Sequence, residues 1–249
     1  MSSYRLLIDE FKAGMMNTFE MSDMGLMHYF LGLEVKQGHE EIFVSQKKYV
    51  ENLLNKYNMQ QCKKTLTPMN TNEKMQMQDG SGYTDPKLYR SLIRGLNYLV
   101  HTRPDISFSV SMVSKYMSNP SKVHYAIAKR VLCYIAGTIN FGLWYGRTSN
   151  FKLIGFTDID WAGSLDNRRS TFGSVLLLGS CAITWGFQKQ EITALSTSAA
   201  QYVVATSLAC QAVWLRRLLE DMGQVQVEAT EIFSDNRSAI SITKIPTMH

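Results

Sequence analysis

Prolines punctuate the middle of this chain, and they constrain its fold more than any other feature. Asp85-Pro86, Pro104-Asp105 and Pro120-Ser121 each open a helix, the proline sitting in the first turn where its missing N–H costs nothing. Gly137 ends the third helix. Thr84–Gly137 is therefore expected to be all-helical, with Ile93, Leu96, Leu99, Val110, Val113, Tyr116, Ala128, Val131 and Ile135 along its seams. After Tyr145-Gly146 the pattern turns to strands. Lys152–Ile159, Thr171–Leu178 and Cys181–Phe187 read as three antiparallel strands, the last two joined by a tight turn at Gly179-Ser180. A helix over Thr193–Met222 follows, with Ala205, Leu208, Val213, Leu215 and Leu218 on its apolar side and Gly223 stopping it. Strand Glu231–Ser234, placed beside the first strand, and helix Ser238–Lys244 complete an α+β or mixed α/β unit.

Before the prolines, Ile8–Met16 has helical spacing through Ile8, Phe11 and Met15, and His28–Val35 reads as a strand. Its partner is Glu41–Ser45, across a turn at Gly38. Gln46–Tyr57 then places Tyr49, Leu53, Leu54 and Tyr57 on one helical face, with Ser45 able to cap it. Lys63–Gly82 is polar and aperiodic, a surface loop or linker. Four segments result: residues 1–62, a linker at 63–83, a helical region at 84–146, and a sheet-containing domain from 147 to 249.

Composition excludes several classes. Hydrophobic residues at 45% and charged residues at 19% of 249 fit a globular chain, not a disordered one. No apolar run reaches the ~18–20 residues of a spanning helix, and MSSYRLLIDE lacks the marks of a signal peptide, so the expectation is an intracellular protein, cytoplasmic or nuclear, without a membrane partner. Cys62, Cys133, Cys181 and Cys210 are far apart without CxxC spacing, which predicts reduced core thiols rather than a zinc site or disulfide framework. Residues 1–146 hold 17 basic against 12 acidic side chains and residues 147–249 hold 9 of each, so the net +5 lies wholly in the first part. That is compatible with a polyanion partner, and equally with a solvated lysine-rich face. His28, His101 and His124 have no ligand spacing and are assigned no role.

Candidate chemistry concentrates in the last segment. Asp158 and Asp160 are two apart on a strand and share a face, and Asp235 sits at the C-terminal end of another. Clustered acids of this kind bind divalent cations; the alternative makes the first two solvent-exposed and Asp235 a helix N-cap. Lys47, Lys48, Lys56, Lys63 and Lys64 gather around one helix, and Arg168-Arg169 follow a strand with Trp161 and Trp185 nearby. These groups suit phosphate contacts, or else a solvated helix and core tryptophans.

The strings HYFLGLEV, FVSQKKYVENLL, LYRSLIRGLNYLVHTRPDISFSVSMVSKYMSNPS, AKRVLCYIAGT, GFTDIDWAGSLDNRRSTFGSVLLLGS, ITWGFQKQ and FSDNRSAI resemble the Pol polyprotein of copia-type LTR retrotransposons, particularly plant ones, across essentially the whole chain. The resemblance implies the late palm of a reverse transcriptase, a helical thumb or connection-like region, and an RNase H-like domain with a mixed sheet. In that family RNase H cleaves RNA in RNA–DNA hybrids with four carboxylates and two Mg²⁺, Mn²⁺ being the alternative ion. The first carboxylate maps to Asp158 and the third to Asp235, with Asp160 a further candidate ligand. Where the family carries Glu-Ala-Glu-Tyr, this chain has Ala199-Ala200-Gln201-Tyr202, so Gln201 stands in a ligand position that an amide cannot fill as a charge. The sequence ends at Ile245-Pro246-Thr247-Met248-His249 without the fourth carboxylate, and begins after the place of the Tyr-X-Asp-Asp polymerase box, which implies impaired catalysis. HYFLGLEV resembles the strand that grips the primer, making Phe30, Leu31 and Gly32 candidates for nucleic-acid contact; the alternative reads Tyr29, Phe30 and Leu31 as sheet core. Hybrid nucleic acid and other Pol segments are the implied partners, and a non-enzymatic nucleic-acid-binding remnant or a product without function are the alternatives.

Overall fold

The computed structural model describes residues 2–70, 73–148, 151–160, 166, 170–190 and 196–244, excepting the side chains of residues 2–5, 7, 160 and 189. The described residues form two four-stranded sheets, the first drawing strands from before and after the central helices and the second lying wholly after residue 150. Helix α1 (Ser2–Thr18) leads into the first sheet, in the order β1 (Tyr29–Phe30), β2 (Leu33–Gln37), β3 (Glu41–Ser45) and β4 (Gly142–Gly146), all antiparallel. Helices α2 (Lys47–Lys56), α3 (Pro86–Leu99), α4 (Ser107–Ser114) and α5 (Lys122–Gly137) enclose the main core.

That core follows the predicted spacing. Tyr89, Leu92, Ile93, Leu96 and Leu99 on α3 meet Val110 and Val113 on α4, Ala128, Val131 and Ile135 on α5, and Val50, Leu53 and Leu54 on α2, all buried. Burial of each such side chain contributes about 1.5–3 kcal/mol. The three prolines differ in role. Pro86 lies in the first turn of α3 behind an Asp85 cap that accepts from the Lys87 N–H at 2.8 Å. Pro104 instead opens a 3₁₀ turn over Pro104–Ile106, and Pro120 precedes the Ser121 cap of α5 rather than entering the helix.

Several expectations need correction. His28–Val35 is not one strand: Leu31 (φ +46°) and Gly32 (φ +80°) turn the chain between β1 and β2. A side chain at Gly32 would also collide with the Tyr98 hydroxyl, which donates to the Leu31 carbonyl. Ser45 does not cap α2; Gln46 is the cap residue, and Glu34 on β2 accepts from the Lys48 N–H at 2.6 Å instead. The apolar face of α1 stays in solvent, with Ile8 and Phe11 exposed. Gly142–Gly146, expected within the helical region, is a strand that closes the first sheet against β3. The 63–83 segment is not only surface, because Met69 and Met75 are buried in the helical core.

The second sheet runs β7 (Cys181–Lys189), β6 (Thr171–Leu178), β5 (Leu153–Asp160), β8 (Glu231–Ser234), with β5 antiparallel to β6 and parallel to β8. Helix α6 (Thr197–Asp221) packs on it through Leu208, Ala212 and Leu215 against Leu153 and Leu176, and α7 (Arg237–Thr243) follows β8. Leu208 approaches the backbone closely because Gly155 has no side chain to hold it off. The buried face of α6 differs from the expected one: Val204, Leu208, Ala212, Leu215 and Leu219 point inward, while Val213 and Leu218 are exposed.

Three polar nodes hold the irregular parts. Arg103, 2% exposed at its side chain, pairs in bidentate fashion with Asp105 at 2.9 and 2.7 Å and donates to the carbonyl and hydroxyl of Thr138. His124, assigned no role from sequence, completes a capping box: its Nδ1 accepts from the Ser121 N–H and its ring stacks on Tyr116 at 3.8 Å. Asp79, from the 63–83 segment, accepts from the Ser121 hydroxyl, and hydrogen bonds from Ser121 and Ser81 hold its carboxyl down at about 2. Trp185 Nε1 donates to the Val100 carbonyl and Lys115 Nζ to the Thr171 hydroxyl, fastening the second sheet to the helical region, and the Met77 N–H of the 63–83 segment donates to Asp166.

Arg103→Met should cost about 3 kcal/mol in urea unfolding, because it leaves Asp105 and Thr138 without their shared donor. Burial holds the His124 imidazole below its ordinary 6.5, outweighing the nearby Asp79 carboxylate, so folded His124 stays neutral where the unfolded chain takes up a proton. Stability should therefore fall as pH drops below about 6.5, and Asp79 adds a second loss only between about pH 4 and 2. Denaturant midpoints across pH 7.5 to 5 should slope in the parent chain and flatten in His124→Gln.

Candidate functional site

Strand β5 alternates. Leu153, Gly155 and Thr157 face α6, whereas Phe156 and Asp158 face away from it. The parallel register pairs Phe156 with Phe233 and Thr157 with Ser234, so β8 repeats the pattern and Asp235 follows Phe233 onto the side that carries Asp158. The two carboxylates are exposed and line one cavity of about 640 Å³. Its walls are Phe156 and Phe233, stacked at 5.1 Å, Trp185 and Phe187 from β7, Val175 from β6, and Pro104 from the helical region. Asp235 is not the cap of α7; Asn236 is, through a hydrogen bond from the Ala239 N–H. One oxygen of Asp158 accepts from the Ile159 N–H at 2.7 Å.

Gln201 is elsewhere. It is fully buried on α6, on the opposite face of the sheet, where its amide Nε2 donates to the Thr157 carbonyl at 3.3 Å and the Ser234 hydroxyl at 2.9 Å. It ties β5 to β8 from below and does not reach the cavity. Asp158 and Asp235 are thus brought together and Gln201 is not, a division fixed by strand parity. Asp160 lies at the end of β5 with its side chain outside the described residues, as are Trp161, Arg168 and Arg169.

Two carboxylates do not make a two-ion centre. Mg²⁺ demands six near-ideal oxygen ligands and keeps water where protein supplies none. Among the described residues no group of three or more His, Cys, Asp or Glu could hold an ion. Gln201, standing where the resemblance expects the second ligand, gives its donor to the sheet, so among the described residues the donor set does not fit a pair of metal ions.

A second feature escaped sequence analysis. Lys56 on α2 and Lys87, Arg90 and Arg94 on α3 line a groove of about 730 Å³ with Tyr49, Asn52 and Ser91. The α3 cations recur at helical spacing in KLYRSLIRG, a signal that could have been read beside the α2 lysines. The groove floor forms because Gly95 lets Leu53 close against α3, where Tyr49 donates to the Gly95 carbonyl at 3.1 Å. Lys47 and Lys48 are exposed at the start of α2, and Lys48 lies one turn before Asn52. Tyr29, Phe30 and Leu31 are also exposed, at 59%, 53% and 73%, so they are not sheet core.

Residues 1–71 match the family model described as reverse transcriptase (RNA-dependent DNA polymerase). Over 93% of its length the chain is 34% identical to the retrovirus-related Pol polyprotein from transposon RE1 of Arabidopsis thaliana, and over 98% it is 33% identical to that from transposon TNT 1-94 of Nicotiana tabacum. An uncharacterized mitochondrial protein of Arabidopsis thaliana is 37% identical over 80% of this chain and 82% of its own length. The chain belongs to the copia-type retrotransposon Pol family. It spans 16–19% of the length of the Pol polyproteins it matches. No solved structure matches it. The mixed α/β architecture is consistent with that family.

If Gln201 is a strut, Gln201→Glu should not repair a ligand set; it should weaken the fold. A carboxylate cannot donate to the Thr157 carbonyl, and burying it unpaired costs about 1–3 kcal/mol, more for a charge. The urea midpoint of Gln201→Glu should drop at pH 7 and partly recover near pH 4, where the acid is protonated.

Proposed function

We propose that this chain is a nucleic-acid-binding segment of a copia-type Pol polyprotein whose RNase H-like sheet cleaves hybrids poorly or not at all. The observation that carries the reading is the placement of Gln201, whose amide is committed to Thr157 and Ser234 while Asp158 and Asp235 share a cavity without it. The RNase H ancestry, the metal dependence and the place of work, inside the cell with other Pol segments, belong to this proposal.

Binding is assigned to the groove between α2 and α3. Four cations over one concave surface attract phosphates whatever the sequence, and the release of counterions makes such binding salt-dependent. Tyr49 and the exposed Tyr29, Phe30 and Leu31 offer apolar or aromatic contacts beyond the phosphates. Cleavage needs more: charge builds on the scissile phosphate, and each ~1.4 kcal/mol of lost transition-state stabilisation is tenfold in rate. Loss of both charged ligands together, those the resemblance expects besides Asp158 and Asp235, taken conservatively as ~3 kcal/mol, gives about 100-fold.

An RNA–DNA hybrid should therefore bind, weakening steeply between 50 and 200 mM salt, while its RNA strand is cut at least about 100-fold more slowly than by an intact family enzyme in Mg²⁺ or Mn²⁺. Arg90→Ala with Arg94→Ala should weaken binding about tenfold or more and lower the salt slope. Cleavage at an intact enzyme's rate, abolished by Asp158→Asn, would overturn the proposal; binding unchanged in the double arginine variant would remove the groove from it.

A further inference from the structure

Directly paired residues of neighbouring strands point to the same face of a sheet, so the registers of the second sheet give the make-up of its cavity side row by row. One row crosses the sheet as Phe233 on β8, Phe156 on β5, Val175 on β6 and Trp185 on β7. The next runs from Asp235, one residue past β8, through Asp158 and Gly173 to Phe187. Gly173 lets the Phe187 ring lie over it, since a side chain there would collide with that ring. Phe108 braces Phe187 edge-on from the helical region, 5.3 Å between centroids. An aromatic row therefore runs beside two carboxylates in a cavity of about 640 Å³, a size common among small-molecule sites.

The chemistry left free in this cavity is one-sided. Phe156 and Phe233 stack on each other yet remain 40% and 49% exposed. The indole N–H of Trp185 is given to the Val100 carbonyl, which leaves the cavity its ring and no donor. Thr157, Ser174 and Ser234 are paired in the row that faces α6, where Ser234 accepts from Gln201. Among the described residues no Lys, Arg or His pairs with Asp158 or Asp235, and Asp158 accepts only from the Ile159 N–H. The cavity thus presents two negative charges and several ring surfaces without a matching donor. Its occupant must bring positive charge, N–H donors and a flat apolar body. Mg²⁺ brings charge alone and demands more oxygens than these. An amidinium or guanidinium is planar, weakly hydrated, donates paired N–H bonds to a carboxylate and stacks on aromatic rings.

We propose that the cavity is a binding site for a small planar aromatic monocation, an aryl amidinium or aryl guanidinium, with its charged end at Asp158 and Asp235 and its ring along Phe156, Phe233 and Trp185. The proposal rests on the reading that these carboxylates hold no metal pair, and no residue of the basic groove takes part in it.

The test titrates the full chain at pH 7 with benzamidinium, and separately with benzamide, a neutral molecule of nearly the same shape, by calorimetry and by NMR of the tryptophan indole N–H groups. Benzamidinium should bind at least about tenfold more tightly than benzamide and shift the Trp185 resonance, leaving those of Trp144 and Trp214 in place. Asp158→Asn with Asp235→Asn should remove that preference, and Phe233→Leu should weaken binding about threefold. Equal binding of the two probes, no binding of benzamidinium, or a preference that survives both asparagines would each overturn the proposal. Tighter binding of N-acetylarginine amide than of benzamidinium would assign the cavity to a protein side chain and overturn it too. Where a variant folds poorly, the comparison of the two probes on the unaltered chain decides. Failure of benzamidinium to bind leaves the reading of the carboxylates standing, whereas hybrid cleavage at an intact enzyme's rate would contradict that reading whatever benzamidinium does.

Discussion

The alternation of side chains along β5 sets what the second sheet can present. A residue and its neighbour on a strand face opposite ways, so once Gly155 and Thr157 pack under α6, Phe156 and Asp158 must face the cavity. Because β8 runs parallel in register, with Thr157 opposite Ser234, Asp235 is carried to the same side and Ser234 to the other. Gln201, on α6, meets only the Thr157 and Ser234 layer. A one-residue slip of either strand would reverse every one of these assignments. The buried leucines at Leu153, Leu176 and Leu208 resist such a slip, because it would carry apolar side chains of the core to the solvent face.

The first half of the chain works through different physics. Its core is helix on helix, and its exposed cations are grouped by helical spacing rather than by strand parity. The two halves are joined by polar contacts such as Trp185 to Val100 and Lys115 to Thr171, and by the edge-on rings of Phe108 and Phe187 at 5.3 Å. The carboxylate cavity lies where they meet, with Pro104 completing a wall that the sheet alone would leave open. The basic groove and the carboxylate pair therefore sit on different elements and can be lost separately.

Much of this was legible in the amino-acid sequence. Thr171–Leu178, Glu41–Ser45 and Glu231–Ser234 are strands with the bounds their alternation indicates, and the helical seams from Ile93 to Ile135 are buried as their spacing requires. Legibility failed where a long-range partner decided the outcome. Leu31 and Gly32 turn the chain under Tyr98, a residue 67 positions away, so a run of strand-forming residues could not reveal the break. His124 carries no motif, and its role exists only because Ser121 and Tyr116 come to it. Val213 and Leu218 were misassigned to the buried face of α6 because composition alone does not give the rotation of a helix, which the smaller Ala212 fixes by fitting beneath it. For the candidate site, the sequence identified Asp158, Asp235 and the anomaly at Gln201, yet not that Gln201 would be buried on the other side.

The central claim is that Gln201 is a structural amide and not a ligand. Its side-chain NH₂ resonances, followed by ¹⁵N-resolved NMR during a Mg²⁺ titration of the folded chain, test this most directly. The account predicts that they exchange slowly with solvent and stay in place while the carboxyl carbons of Asp158 and Asp235 shift. Movement of the Gln201 amide in step with those carboxyls, at the same Mg²⁺ concentration, would show it in the coordination sphere and contradict the account.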